Sequence, residues 1–322
     1  MAEGAPPLLA VEGLTKHYGT GRDLLGRPGM TVRAVDGISF TIAHGETLGL
    51  VGESGCGKST AGKAILRLIE PTAGSVKLDG VELTTLGPAA LHAQRRNMQV
   101  IFQDPYASLN PKMTAAALVG EPFINYRLHT APERKERVAG LFARVGLRAD
   151  HLPRYPHEFS GGQRQRLGIA RALALEPKLV IADEPVSALD VSVQAQVINL
   201  MVRLQQELGL GYLFVAHDLA VVRHISDRIA VMYLGRIVEL AAAEELFAAP
   251  AHPYTRMLLD AVPVPGKRRR KSPLRGEPPS PLSPPAGCHF HPRCPLAVAR
   301  CRSETPLLRA VAGGHQAACH LA

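Results

Sequence analysis

Gly52-Glu53-Ser54-Gly55-Cys56-Gly57-Lys58-Ser59-Thr60 is the stretch whose reading decides the fold. It follows an apolar run, Thr47 to Val51, that reads as a buried strand, and precedes Ala61 to Ile69, whose Ala, Leu and Ile content reads as a helix. Strand, then G-x-x-x-x-G-K-S, then helix is the order that a phosphate-binding P-loop requires. The glycines allow a tight loop with its N–H groups turned inward, and the helix N-terminus adds a favourable dipole. Lys58 can reach the β- and γ-phosphates, and Ser59 offers a hydroxyl to Mg²⁺. A Gly/Ser-rich turn that only resembles the pattern would leave the flanking strand and helix unexplained. The expectation is a nucleoside-triphosphate site.

Working outward, Leu8 to Leu14 and Val32 to Ile42 read as strands of an antiparallel layer, separated by a Gly-rich surface insertion, Gly19 to Gly29. Tyr18, just before that insertion, is either an adenine-stacking ring or an ordinary edge aromatic. Ser75 to Leu78 is a short strand ending at the Asp79-Gly80 turn signal, and Met98 to Phe102 is an apolar run ending at Gln103. From 104 to 173 the pattern is helical and punctuated by prolines, which reads as a helical subdomain inserted in the nucleotide core. Leu179 to Ala182 returns as a buried parallel strand and ends at Asp183-Glu184. Asp183 can hold the Mg²⁺ shell and Glu184 can polarise a water for attack on the γ-phosphate. Tyr212 to Ala216 is a third buried strand, ending at His217.

Between these strands lies Ser160-Gly161-Gly162-Gln163, followed by an Ala/Leu-rich helix. Ser160 would cap that helix and the glycines would expose N–H groups, giving a second anion-binding helix start. Two phosphate cradles with one Asp/Glu strand end make sense if the second cradle serves a nucleotide held by a partner subunit.

The chain has 322 residues, 46% hydrophobic and 20% charged, which describes a soluble globular protein and not a disordered one. Its apolar runs are too short to span a bilayer, and Met1 to Pro7 does not read as a secretory signal, so a cytosolic location is expected. The net charge of +9 is compatible with nucleic acid, anionic lipid or nucleotide phosphate and selects none of them. The run Lys267-Arg268-Arg269-Arg270-Lys271 reads as a solvated linker, because no aromatic residues interleave it and Trp is absent from the chain. No nucleic-acid partner is expected.

The Pro-rich, basic segment 263–286 is expected to be a linker. Beyond it, Cys288, Cys294, Cys301 and Cys319 crowd into 287–322. Disulfides are disfavoured in a reducing cytosol. Inert buried thiols, a tetrahedral zinc with help from His289, His291, His315 or His320, and an iron–sulfur cluster all remain open.

The ordered set of motifs from Leu8 to Val262 resembles the ATP-binding subunits of ABC transporters. Gly52 to Thr60 match the P-loop, Gln103 the glutamine loop and Ser160-Gly161-Gly162-Gln163 the signature. Asp183 ends the Walker B strand with Glu184 as catalytic carboxylate, Ser187 to Asp190 resemble the D-loop, and His217 the switch histidine. The resemblance implies an α/β fold: a P-loop core of ABC type (1–262), an antiparallel β layer, a helical subdomain (about 104–173) and a small Cys-rich C-terminal extension. It implies ATP contacts at Tyr18, Gly52, Ser54, Gly55, Cys56, Gly57, Lys58, Ser59, Thr60, Gln103, Ser160, Gly161, Gly162, Gln163, Asp183 and Asp190. Mg²⁺ contacts are implied at Ser59, Gln103 and Asp183, and catalytic roles at Glu184, His217, Lys58 and Gln103.

Val35 to Ser59 and the tail resemble in particular the dipeptide, oligopeptide and nickel importer branch, some members of which hold a [4Fe-4S] cluster in the tail. Cys288, Cys294, Cys301 and Cys319 are the ligands so implied, with zinc as the alternative. The implied function is ATP hydrolysis that powers import of dipeptides or oligopeptides. The implied partners are a second ATPase subunit (a paralogue), two transmembrane permeases and an extracytoplasmic solute-binding protein, with the chain peripheral on the cytoplasmic face of the inner membrane. Import of nickel or another small solute, and a soluble ABC ATPase acting on nucleic acid or ribosomes, are the competing readings.

Overall fold

A computed structural model describes residues 6–19, 30–261 and 276–322. The basic run 267–271 and most of the Gly-rich insertion lie outside the described residues. The described residues 276–286 contain no helix or strand. The chain divides into two compact units, one built from 1–42, 47–85 and 216–322, the other from 43–46 and 86–215.

In the first unit, Leu9–Gly19 pairs antiparallel with Thr31–Ile42 on one side and with Ala73–Leu78 on the other, and Val81–Glu82 adds a short edge. Alternation places Ile38, Phe40 and Ile42 on the core face, and Val35 is buried as well across the register shift that precedes Ile38. The first strand runs to Gly19, past the expected Leu14, because irregularities at Val11/Leu14 and Lys16/His17 re-aim it without ending the pairing. A second set of strands starts from Thr47–Val51, buried throughout, which runs parallel to Arg228–Tyr233. Arg228–Tyr233 turns back into Arg236–Ala242 through Leu234 and Gly235, both at positive φ, the geometry a tight hairpin needs.

The C-terminal residues complete this set. His315–Ala317 pairs with Arg236–Ala242 through Glu239↔Ala317 and Leu240↔Gln316, and Arg309–Ala312 covers its far side. Beneath it, Phe290 packs its ring 5.3 Å from Tyr233, 5.4 Å from Tyr254 and 5.7 Å from His252. Tyr233, Tyr254 and Phe290 are all at most 1% exposed. Three buried aromatic rings contribute several kcal/mol by area alone, at roughly 25 cal/mol per Å² of apolar surface.

In the second unit, Gly211–Ala216, Leu179–Asp183 and Met98–Ile101 run parallel in that order, with the first two strands buried along their whole length. Such near-continuous apolar runs are what a parallel sheet covered on both faces requires. The stretch 104–173 is helical, with Ala115–Asn125, Ala131–Arg144 and Gly161–Leu173 as its longer helices. Arg171 ties it together, donating to the Ser108 carbonyl at 2.9 Å and to Glu121 at 2.9 Å. Helix Val191–Leu208 follows and stops at Gly209, whose φ of 64° serves as the left-handed C-terminal residue.

Candidate functional site

The buried strand Thr47–Val51 delivers the chain into loop 52–57, and helix Lys58–Ile65 starts immediately after it. Gly57 has φ +110, and a Cβ there would land on the Ala34 carbonyl oxygen, so only glycine fits. No side chain caps the helix, which leaves its first turn to an external acceptor. Lys58 is 4% exposed, and its ammonium donates to the carbonyls of Gly52 (2.8 Å) and Glu53 (3.1 Å). That arrangement keeps a cation folded over the loop, where phosphate oxygens can replace the carbonyls. Cys56 is buried, and burial pushes its thiol pKa up, so the residue serves as a small apolar filler. Ser54 and Gly55 are exposed, and Ser59 and Thr60 are half-buried on the first turn. A cradle that a Cβ would fill, an uncapped helix start and a folded-over lysine fit a polyphosphate with Mg²⁺.

Also in this unit, Tyr18 lies near the end of its strand, 42% exposed as a residue, with the Lys16 ammonium 4.9 Å from its ring centroid. The exposed face of such a ring is available for stacking. His217 is exposed directly after strand Gly211–Ala216, and Asp218 behind it caps helix Leu219–Ile225 by accepting from Ala220 N–H at 2.8 Å.

In the second unit, Asp183 ends its strand at 9% exposure. Glu184 follows with φ +46, a conformation that costs a non-glycine residue free energy and is concentrated at functional sites. Its backbone is held from both sides: its N–H donates to Val215 O at 2.9 Å, and its carbonyl accepts the Ser187 hydroxyl at 3.0 Å. The Glu184 carboxylate accepts from Gln103 Nε2 at 3.2 Å, so the structure brings together two residues 81 positions apart that the sequence had singled out separately. Ser160 Oγ accepts from Gln163 N–H at 3.3 Å while Gln163 Oε1 accepts from Ser160 N–H at 3.0 Å, a reciprocal capping box at the start of helix Gly161–Leu173. A Cβ on Gly162 would collide with the Val193 side chain, which accounts for that glycine by close packing. Asp190 is exposed at the start of helix Val191–Leu208, and Gln194 Nε2 braces the turn before it through the carbonyls of Val186 and Leu189, both at 3.0 Å.

All four cysteines of the tail are free, Cys301 and Cys319 buried and Cys288 and Cys294 half-buried. Burial, and after it the neighbouring thiols, hold Cys288 and Cys294 above the ordinary thiol range. Among the described residues no group of three or more His, Cys, Asp or Glu is placed to hold a metal ion. The structure therefore supports neither the iron–sulfur cluster nor the zinc. The tail is held by the aromatic cluster around Phe290 and by two side-chain pairs centred on carboxylates.

In the first pair, Glu239 is fully buried, accepts from the N–H groups of Ala251 (2.7 Å) and His252 (2.9 Å), and lies 2.7 Å from His315 Nε2. In the second, Arg293 meets the Glu53 carboxylate at 2.7 and 2.9 Å. Sequence reading missed Arg293, Tyr254 and Glu239, none of which carries a motif of its own.

Comparison with known proteins agrees with this geometry. The ABC transporter family matches residues 35–187, and the oligopeptide/dipeptide transporter C-terminal region matches 238–301. A probable peptide ABC transporter ATP-binding protein of Sinorhizobium fredii is 55% identical over 316 residues, covering 98% of this chain and 90% of that protein. The oligopeptide transport ATP-binding protein AppF of Bacillus subtilis is 53% identical over 319 residues, covering 98% and 97%. Among solved structures, the dimeric, post-hydrolysis state of the ATP-binding cassette MJ0796 bound to ADP and Pi superimposes with a TM-score of 0.65 at 31% identity, covering 73% of this chain and 98% of that one. The chain belongs to the ABC transporter family of ATP-binding proteins, in its peptide-transport branch.

Proposed function

We propose that this chain powers the import of dipeptides or oligopeptides through separate membrane permeases, working with a second, paralogous ATPase subunit and an extracytoplasmic solute-binding protein. As a member of its family it is an ABC-type ATPase. Among the described residues no helix is long and apolar enough to cross a membrane. In this reading the chain sits peripherally, on the cytoplasmic face of the inner membrane, with the solute path in the permeases.

The observation that carries the enzymatic reading is Glu184, strained at positive φ and hydrogen-bonded by Gln103. In this reading Tyr18 stacks on adenine, and Gly52 to Thr60 wrap the phosphates with Lys58 neutralising charge on the β- and γ-groups. Mg²⁺, when bound, neutralises phosphate charge, and Ser59, Asp183 and Gln103 are the side chains that would hold it and its waters. Glu184 orients and deprotonates the attacking water, and His217 steadies the γ-phosphate. Ser160 to Gln163 and Asp190 act on the nucleotide of the partner subunit. The peptide assignment is supported by relatives matched over almost the whole chain, tail included. No metal in the tail takes part in the proposal.

Glu184→Gln tests the chemistry. It should lower turnover by roughly 10²–10⁴-fold, the usual contribution of a general base, while leaving ATP binding intact. Reconstitution with the permeases in proteoliposomes then tests the solute. ATP-dependent uptake of a labelled dipeptide is expected, and uptake of nickel in its place would overturn the peptide assignment.

A further inference from the structure

Glu53 occupies one of the variable positions of the P-loop pattern, yet every polar group it owns is engaged within its own unit. Its N–H donates to the Tyr254 hydroxyl at 2.9 Å. Its carbonyl accepts the Lys58 ammonium at 3.1 Å. Its carboxylate receives both terminal nitrogens of Arg293, 240 residues away, at 2.7 and 2.9 Å. Arg293 is 4% exposed and the Glu53 side chain 18% exposed, so this is a fork-on-carboxylate pair largely removed from water. Arg293 is itself fixed: its N–H donates to Phe290 O at 3.0 Å, and Phe290 is locked among Tyr233, Tyr254 and His252. The Tyr233 hydroxyl accepts a further contact from Arg293 at 3.4 Å.

From these contacts we infer that Arg293 is a positioning residue for the nucleotide. The C-terminal region holds the P-loop in its phosphate-receiving shape through the Arg293–Glu53 pair, with Tyr254 as a second anchor. The inference rests on the ATP reading of the site. Breaking one partner of such a pair strands a buried charge, whereas removing both does not. The double variant therefore separates loop positioning from loss of fold. The pair touches the loop and not the attacking water, so its loss should appear in ATP affinity before it appears in turnover.

The test uses the full-length purified chain, titrated calorimetrically with ATP and assayed for KM and kcat with Mg²⁺-ATP. The variants are Arg293→Met, Glu53→Gln, their combination and Arg293→Lys, with thermal melts to score folding and Lys58→Ala as the control. Arg293→Met and the double variant should each weaken ATP binding on the order of tenfold, as expected when a binding group is misplaced by a fraction of an ångström. KM should rise in step while kcat falls much less. The double variant should be no worse than Arg293→Met, and Arg293→Lys should recover part of the affinity. A folded double variant that binds ATP like the wild type would overturn the inference and leave the ATP reading standing. Wild-type chain that binds no ATP would overturn both.

Discussion

Helix Lys58–Ile65 starts directly after Gly57 and helix Gly161–Leu173 starts at Gly161 behind Ser160, and both turn N–H groups toward an anion, but their first turns are finished differently. The first has no side-chain cap and has a lysine folded back onto its loop carbonyls. The second closes on itself, with Ser160 and Gln163 capping one another and Arg164 bonded to the carbonyls of Pro156 (2.6 Å) and His157 (3.2 Å). The P-loop is thus an open cradle with its own cation, and the signature a finished helix start that offers only what its box leaves over. The contrast accounts for two anion-facing helix starts in one chain under the proposed function, in which the P-loop binds phosphate by itself and the signature adds to phosphate presented by another subunit.

The strongest way to break this contrast is Lys58→Ala. If the open cradle depends on its cation, ATP binding by the isolated chain should fall by on the order of 100-fold, measured by calorimetry, with little change in melting temperature. Affinity left intact would mean that the uncapped helix alone suffices and that the two starts are equivalent.

The next effect concerns what stands behind the P-loop, where Tyr254 accepts the Glu53 N–H and is held in turn by His252. His252 is 1% exposed, its Nδ1 accepts the Tyr254 N–H at 3.1 Å, and burial pushes its pKa down to about 4. The unfolded chain takes up the proton near 6.5 and the folded one resists it, so the unfolded state binds more protons between these values. Stability is fully present above about pH 6.5 and is lost as pH falls toward 4, by roughly 2–4 kcal/mol for a shift of this size. Urea midpoints at pH 7 and pH 4.5 would read the loss, and His252→Asn, which retains an acceptor, should flatten it. An unchanged slope in that variant would remove His252 from the account.

The smallest effect is Ser160→Ala. It should cost about 1 kcal/mol of stability, the usual contribution of a cap, and leave ATP binding by the isolated chain untouched. A drop in that binding would erase the distinction between the two helix starts.

What was legible in the sequence was whatever is local. The nine residues Gly52 to Thr60, directly after an apolar strand, announce a P-loop, and Asp183-Glu184 announces itself by following Leu179 to Ala182. Even the Ser160–Gln163 cap is a contact across three positions. The Arg293–Glu53 pair spans 240 residues and has no periodicity to betray it, so only the fold reveals it. The tail cysteines meet the same limit: spacing reports only how many thiols are near in sequence, while a metal site depends on the directions of their Cβ–Sγ bonds, which the chain path sets.

The tail's place in the fold also bears on how the protein is made. The unit that carries the P-loop is discontinuous: it draws on 1–85, apart from 43–46, and then on 216–322. A ribosome therefore releases the phosphate loop, and then the whole of the other unit, long before it releases Arg293 and strand His315–Ala317. Domains tend to fold as units during synthesis, so residues 86–215 can mature while strand Thr47–Val51 still waits for its parallel partner Arg228–Tyr233. On the inferred role of Arg293, a nascent chain carries the nucleotide motif through 240 further residues of synthesis before the support that shapes it emerges.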